Sequence, residues 1–208
     1  MHCGTSRATV NRSRLGEIAG CGRDASHHAF YWGAKLMLIT TADGAVAAFS
    51  LAHPKELDER KQALHLAHVQ TIAPGPYPIV CDKGFAGAGI ETAMAALGHV
   101  VVRPRRDDEP ELEVKVFPGW LRQRIEVIIW TLKNQLGLER HAARSTEGLW
   151  ARVCQRICAL NAAIWHNWLI GAPVKRSSGQ AVTDRLQPPT RTPNPHQRSS
   201  VLIGYFIF

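Results

Sequence analysis

Residues 120–141, WLRQRIEVIIWTLKNQLGLERH, constrain this chain more than any other stretch, because they carry two rows of side chains at helical spacing. Leu121, Ile125, Ile128, Leu132 and Leu136 recur every three or four residues and form an apolar stripe that must face a core. About 100° around the helix, a second row carries Arg122, Glu126, Ile129 and Lys133. A carboxylate flanked by cations beside a buried stripe has two readings. It is a solvated i,i+4 ion pair, or it is an oxygen ligand aimed at a hard divalent cation.

Around that helix the pattern alternates between strand and helix. Residues 1–26 are polar and read as a loop. Phe30–Thr40 reads as a buried strand, Asp43-Gly44 as a hairpin turn and 45–52 as the returning strand. After Pro54, KELDERKQALHLAHV reads as a helix on which His65 and His68, at i,i+3, read as surface histidines rather than a metal pair, since no third ligand stands nearby in sequence. Ile79-Val80-Cys81 is a short strand ending at Asp82, and a glycine-rich turn leads from there into a helix over Ile90–Leu97. HVVVRPRR, residues 99–106, reads as a strand apolar enough to be buried on both faces, with Arg103, Arg105 and Arg106 emerging from its end. Residues 146–171 form a long amphipathic helix capped by Thr146, with Leu149, Val153, Ile157, Leu160 and Ile164 on its buried side.

Composition narrows the class. At 208 residues with 45% hydrophobic and 20% charged residues, the chain has globular values and enough length for one core. No stretch approaches a membrane span and the start has no apolar leader, so the expected place is the cytoplasm. Five cysteines without a CxxC argue against a disulfide framework, and Cys154 and Cys158 read as core filler. The formal charge of +8 divides unevenly, with +4 in residues 173–208, +3 in 103–172, +2 in 1–30 and −1 in 31–102. A polyanionic partner is therefore only weakly indicated by charge.

Asp82 is the second informative carboxylate. An acidic residue at the carboxyl end of a strand stands where α/β sheets hold ligands and metals, although a turn or helix cap would use the same residue type. The neighbouring glycines match neither a dinucleotide fingerprint nor a phosphate loop.

These pieces together bear a resemblance. CDKGF, then a short helix and the VVVRP strand, then Arg122, Glu126 and Lys133 spaced R-x3-E-x6-K, then LERH and the WxRVxQRIxALxAAIWHNWxIGAPVKR stretch, resemble the catalytic domain of insertion-sequence transposases of the DDE type over roughly residues 2–177. The resemblance implies an α/β, ribonuclease H-like fold, a mixed sheet flanked by helices. It implies DNA at insertion-sequence ends as substrate, a homodimer as a permitted partner state, and Mg²⁺ or Mn²⁺ as cofactor. Two Asp and one Glu would hold two such metals, typically about 3.5–4 Å apart, for hydrolysis and strand transfer. By position Asp82 matches the second Asp and Glu126 the Glu, which makes both the expected catalytic and metal-binding residues. Arg122 and Lys133 match the basic residues beside the reacting DNA end, and Arg103, Arg105 and Arg106 are further candidates for phosphate contacts. Where the family often places an aromatic residue three before the Arg, this chain has Gly119, with Trp120 next to it.

The first Asp and its strand, which would stand at the sheet's centre, find no match, since the resemblance starts after them. The expectation is a domain over 1–172 with its first strand missing, unpaired backbone edges at the gap and no catalysis. Residues 173–208, rich in Pro, Arg and Ser, are expected to be a disordered, out-of-frame tail ending in an exposed sticky strand, VLIGYFIF. Two other readings remain: another ribonuclease H-like nuclease, or a remnant that binds DNA or sequesters subunits without catalysis.

Overall fold

The strand Lys35–Thr41 (β3) is buried on both faces, and the layers are built on it. The computed structural model describes residues 14–24, 29–55, 58–69, 76–105, 119–172 and 201–207. Successive side chains of β3 point to opposite sides. Leu36 and Leu38 enter one core, with Ile128, Leu132, Leu138, Leu149, Val153, Ile157 and Leu160. Met37 and Ile39 enter the other, with Ala63, Leu66, Ala67, Ile79, Phe85, Ile90 and Met94. The result is a mixed α/β sandwich. The helices Glu59–Val69 (α1) and Ala88–Ala96 (α2) cover one face of the sheet, and Gly119–Trp130 (α3) and Thr146–Leu169 (α4) cover the other.

The sheet contains five strands in the order β4-β3-β7-β5-β6, where β4 is Val46–Ala52, β5 Pro78–Val80, β6 Val100–Val102 and β7 Val201–Ile207. β3 is antiparallel to β4 and to β7, whereas β5 is parallel to β6 and to β7. β7 therefore sits at the centre. It pairs with β3 from Lys35 opposite Ile207 to Thr41 opposite Val201, and with β5 at Ile79–Val201 and Val80–Leu202.

This placement corrects the expectation of a sticky, exposed strand at the end of a disordered tail. Residues 201–207 saturate the two backbone edges, on β3 and β5, that would otherwise be open. The rest of that tail, residues 173–200, lies outside the described residues.

Other boundaries differ for local reasons. Part of the expected N-terminal loop is a strand, Gly20–Asp24 (β1), hairpinned onto Ala29–Gly33 (β2), so Phe30–Thr40 is two strands broken at Ala34. In the small sheet the His53 imidazole lies over Gly20 and the Tyr31 ring end over Gly22, so a Cβ at either position would push that side chain aside. In β4 an extra residue, Ala47, breaks the register between Ile39–Ala48 and Thr40–Val46, a bulge that keeps Val46 on the α3/α4 face. The 99–106 strand is only Val100–Val102 and lies at the sheet's edge, where Val100 is exposed rather than buried. Ser145, not Thr146, caps α4, its hydroxyl accepting the Gly148 N–H at 3.2 Å. Cys154 and Cys158 lie on α4's exposed side and are not core residues, whereas Cys81 is buried.

The stretch that reads as one helix over 120–141 is three pieces. α3 ends at Trp130 and continues into a π-helical turn, Thr131–Gln135, in which the Leu136 N–H donates to Thr131 O at 3.0 Å. Gly137 then takes a left-handed conformation, φ 61°, and stops it before a 3₁₀ turn at Leu138–Arg140. Widening the turn brings both Leu132 and Leu138 to complete burial.

Candidate functional site

Asp82 stands one residue beyond the buried Cys81, where β5 leaves the sheet. Its Oδ1 accepts the Lys83 N–H at 2.7 Å and so caps the 3₁₀ turn Lys83–Phe85. Phe85 anchors that turn in the α1/α2 core. From α1, Arg60 donates through Nε and Nη2 to the Gly84 carbonyl, at 3.3 and 3.1 Å. Arg60 is a positioning residue the sequence did not reveal, because 24 positions separate it from the carbonyl it holds and no local pattern marks the pair.

Glu126 lies on the solvent side of α3. Its Oε1 accepts from Arg122 Nε at 3.2 Å, and the two side chains are 61% and 60% exposed. That is the geometry of a solvated i,i+4 pair. Lys133 belongs to the π-helical turn and pairs with Glu139 at 2.8 Å. The π-helical turn carries Lys133 out of the regular helical frame that the R-x3-E-x6-K spacing assumes. Between Arg122 and Glu126, Arg124 turns the other way and donates through Nε to Ala42 O at 3.2 Å, binding α3 to the β3–β4 hairpin. Burial lowers its pKa, with Asp43 acting in the opposite sense.

The three arginines after β6 fare differently. Arg103 grips Glu91 on α2, with Nε and Nη2 each 2.9 Å from Oε1, so its charge is spent within the fold. Arg105 is exposed. Arg106 lies outside the described residues. Beneath Asp82, burial pushes the Cys81 thiol up to about 12, against the lowering effect of Arg103, so Cys81 is an inert core group rather than a nucleophile.

Asp82 and Glu126 each have a local partner, on Lys83 and Arg122 respectively, and both face water. Among the described residues, no group of three His, Cys, Asp or Glu side chains could hold a metal ion. A pair of hard divalent cations needs several converging oxygens, and the side chains described here do not supply that set. Among the same residues, no helix is long and apolar enough to cross a membrane. No family model, curated protein or solved structure matches the chain.

Proposed function

We propose that the chain carries the catalytic fold of an insertion-sequence transposase of the DDE type, ribonuclease H-like, and engages DNA without cutting it while β7 fills the centre of the sheet. The observation that carries this reading is the strand order. In a ribonuclease H-like sheet the first strand stands at the centre, between the counterparts of β3 and β5, and this is the slot β7 occupies. The reading assigns the catalytic roles to Asp82, at the end of β5, and to Glu126, on the late helix α3. β7, VLIGYFI, brings no carboxylate in place of the first Asp. With two carboxylates of three, the two metals that activate the attacking oxygen and stabilise the leaving one are not jointly held.

The test is nicking of supercoiled plasmid in Mg²⁺ or Mn²⁺ by three proteins: the chain itself, a version without residues 201–208 that is extended at its N-terminus by a strand ending in Asp, and that version carrying Glu126→Ala. The expected result is cutting by the extended version alone. Cutting by the chain itself, or by the extended Glu126→Ala protein, overturns the assignment.

A further inference from the structure

A second surface, remote in sequence from Asp82 and separate from the Arg122–Glu126 pair, gathers cations without gathering acids. The 3₁₀ turn after Gly137 lies against the early turns of α4, and the Gly137 carbonyl marks the junction. It accepts the Arg140 N–H at 3.0 Å and Arg156 Nε at 3.3 Å. Arg156 also donates through Nη1 to Arg152 O at 3.0 Å, and Arg152 through Nη1 to Gln155 Oε1 at 3.2 Å. Arg144 stands in the loop between the turn and the helix, and Arg140, Arg144 and Arg152 are all exposed. None of the four guanidinium groups forms an ion pair with a described carboxylate.

The two acids in this region do little to offset them. Glu139 is held by Lys133. Glu147, fully exposed in the first turn of α4, has its pKa lowered by a backbone hydrogen bond and by Ser145, so its charge is committed to the helix end. His141, between Arg140 and Arg144, has its pKa lowered by burial and then by Arg156, and its Nδ1 accepts the Ala143 N–H at 3.0 Å. Burial thus disfavours a further cation at His141, and the surface keeps the charge of four arginines, with Glu139 paired to Lys133 and Glu147 bound at the helix end.

We propose that Arg140, Arg144, Arg152 and Arg156 form a docking face for the phosphate backbone of duplex DNA, without regard to sequence. The proposal rests on the DNA-binding part of the function given above, but not on the catalytic part. Charge complementarity favours this occupant. Planar guanidinium forks pair with phosphate oxygens two at a time, and uncompensated cations gain by releasing the counterions condensed on a duplex. The fit extends to position, since Arg152 and Arg156 lie one turn apart on a rigid helix, Arg140 on the turn packed against it and Arg144 in the loop that joins them.

The experiment is fluorescence anisotropy of a labelled duplex of arbitrary sequence with the full chain, in EDTA, across a salt series. Arg140→Ser/Arg144→Ser/Arg152→Ser spares Arg156, whose bond to Gly137 is structural. This variant should lose at least about tenfold in affinity, and its log–log salt slope should become shallower by about 2.7, at roughly 0.9 per phosphate contact. The matching triple Lys variant should keep the slope, which separates lost charge from lost fold, and Lys61→Ser on α1 should change neither value. The proposal falls if the chain does not bind, if the triple Ser variant keeps its slope, or if Lys61→Ser loses as much. It also falls if heparin or anionic vesicles depend on the same arginines at equal or higher affinity. Failure to bind at all removes the DNA part of both readings. An unchanged slope in the triple Ser variant removes only this face, and plasmid nicking in metal remains a separate result.

Discussion

Asn161 holds both main-chain groups of Val46, a residue 115 positions away: its Oδ1 accepts the Val46 N–H at 2.8 Å and its Nδ2 donates to Val46 O at 3.0 Å. β4 is an outer strand, so at the bulged end these groups have no strand partner on that side. One carboxamide thus closes the end of the sheet's edge and fixes α4 across it. Asn161→Ala leaves a donor and an acceptor to find water beside a packed helix, and is expected to cost about 1–3 kcal/mol. A urea midpoint unchanged from the parent protein would show that the pair does not stabilise the fold.

The centre of the sheet gives the largest expected effect. Leu202→Pro removes a main-chain N–H from a strand paired on both sides, next to Thr40 on β3 and Val80 on β5. The variant, like a chain lacking 201–208, is expected to lose its cooperative thermal transition and to associate through the exposed edges of β3 and β5. Circular dichroism melting with light scattering checks this. A monomeric, cooperatively melting truncation would remove β7 from the sheet.

Two histidines set an acid limit on stability. His99 is 5% exposed, stacks on Tyr77 with ring centroids 5.9 Å apart, and finds no partner for its buried Nδ1 among the described residues, and desolvation lowers its pKa. His141 is lowered by burial and by Arg156. A base whose folded pKa lies below its unfolded value, near 6.5 here, binds fewer protons in the native state. The stability it allows is complete above about pH 6.5 and is lost as pH falls through the depressed native value. Urea midpoints are therefore expected to fall between neutral and mildly acid pH. His99→Phe, which keeps the stacking, and His141→Asn, which keeps an acceptor near Nδ1, should each flatten the fall, and equal slopes in parent and variants would assign the effect elsewhere.

Gly44 is the most constrained residue of the β3–β4 hairpin. It has φ 96°, and a Cβ added there would lie 3.3 Å from Ile128 Cδ1 on α3. Gly44→Ala combines a strained backbone with crowding against a buried side chain, for an expected loss of about 1–3 kcal/mol. A denaturation midpoint within error of the parent would show that the hairpin yields freely.

The helices and the β3–β4 hairpin were legible in the sequence because their signals are local. Leu149, Val153, Ile157 and Leu160 recur at the helical period and are buried, and Asp43-Gly44 marks the turn between strands that do pair. What the sequence hid depends on contacts remote along the chain. VLIGYFI has the composition of a sticky edge and of a central strand alike, and only its pairing with β3 and β5 tells them apart. The π-helical turn was hidden because Leu132 and Leu136 satisfy a regular helix equally well, until Leu138 also needs burial. At the candidate site, Asp82 and Glu126 were found as carboxylates of interest, but their present partners, the Lys83 N–H and Arg122, are the ones that the simpler cap and ion-pair readings require.

The position of β7 also sets an order of events during synthesis. Every strand and helix that flanks the slot is made before the residues that fill it, because 31 residues, 170–200, separate the end of α4 from the start of β7. A ribosome releasing residues at about 5–20 per second exposes the β3 and β5 edges for seconds before their partner emerges. A nascent chain of this kind depends on chaperone cover late in translation. A stop before residue 201 yields a product whose β3 and β5 edges stay open, with the fate of an aggregate or a protease substrate.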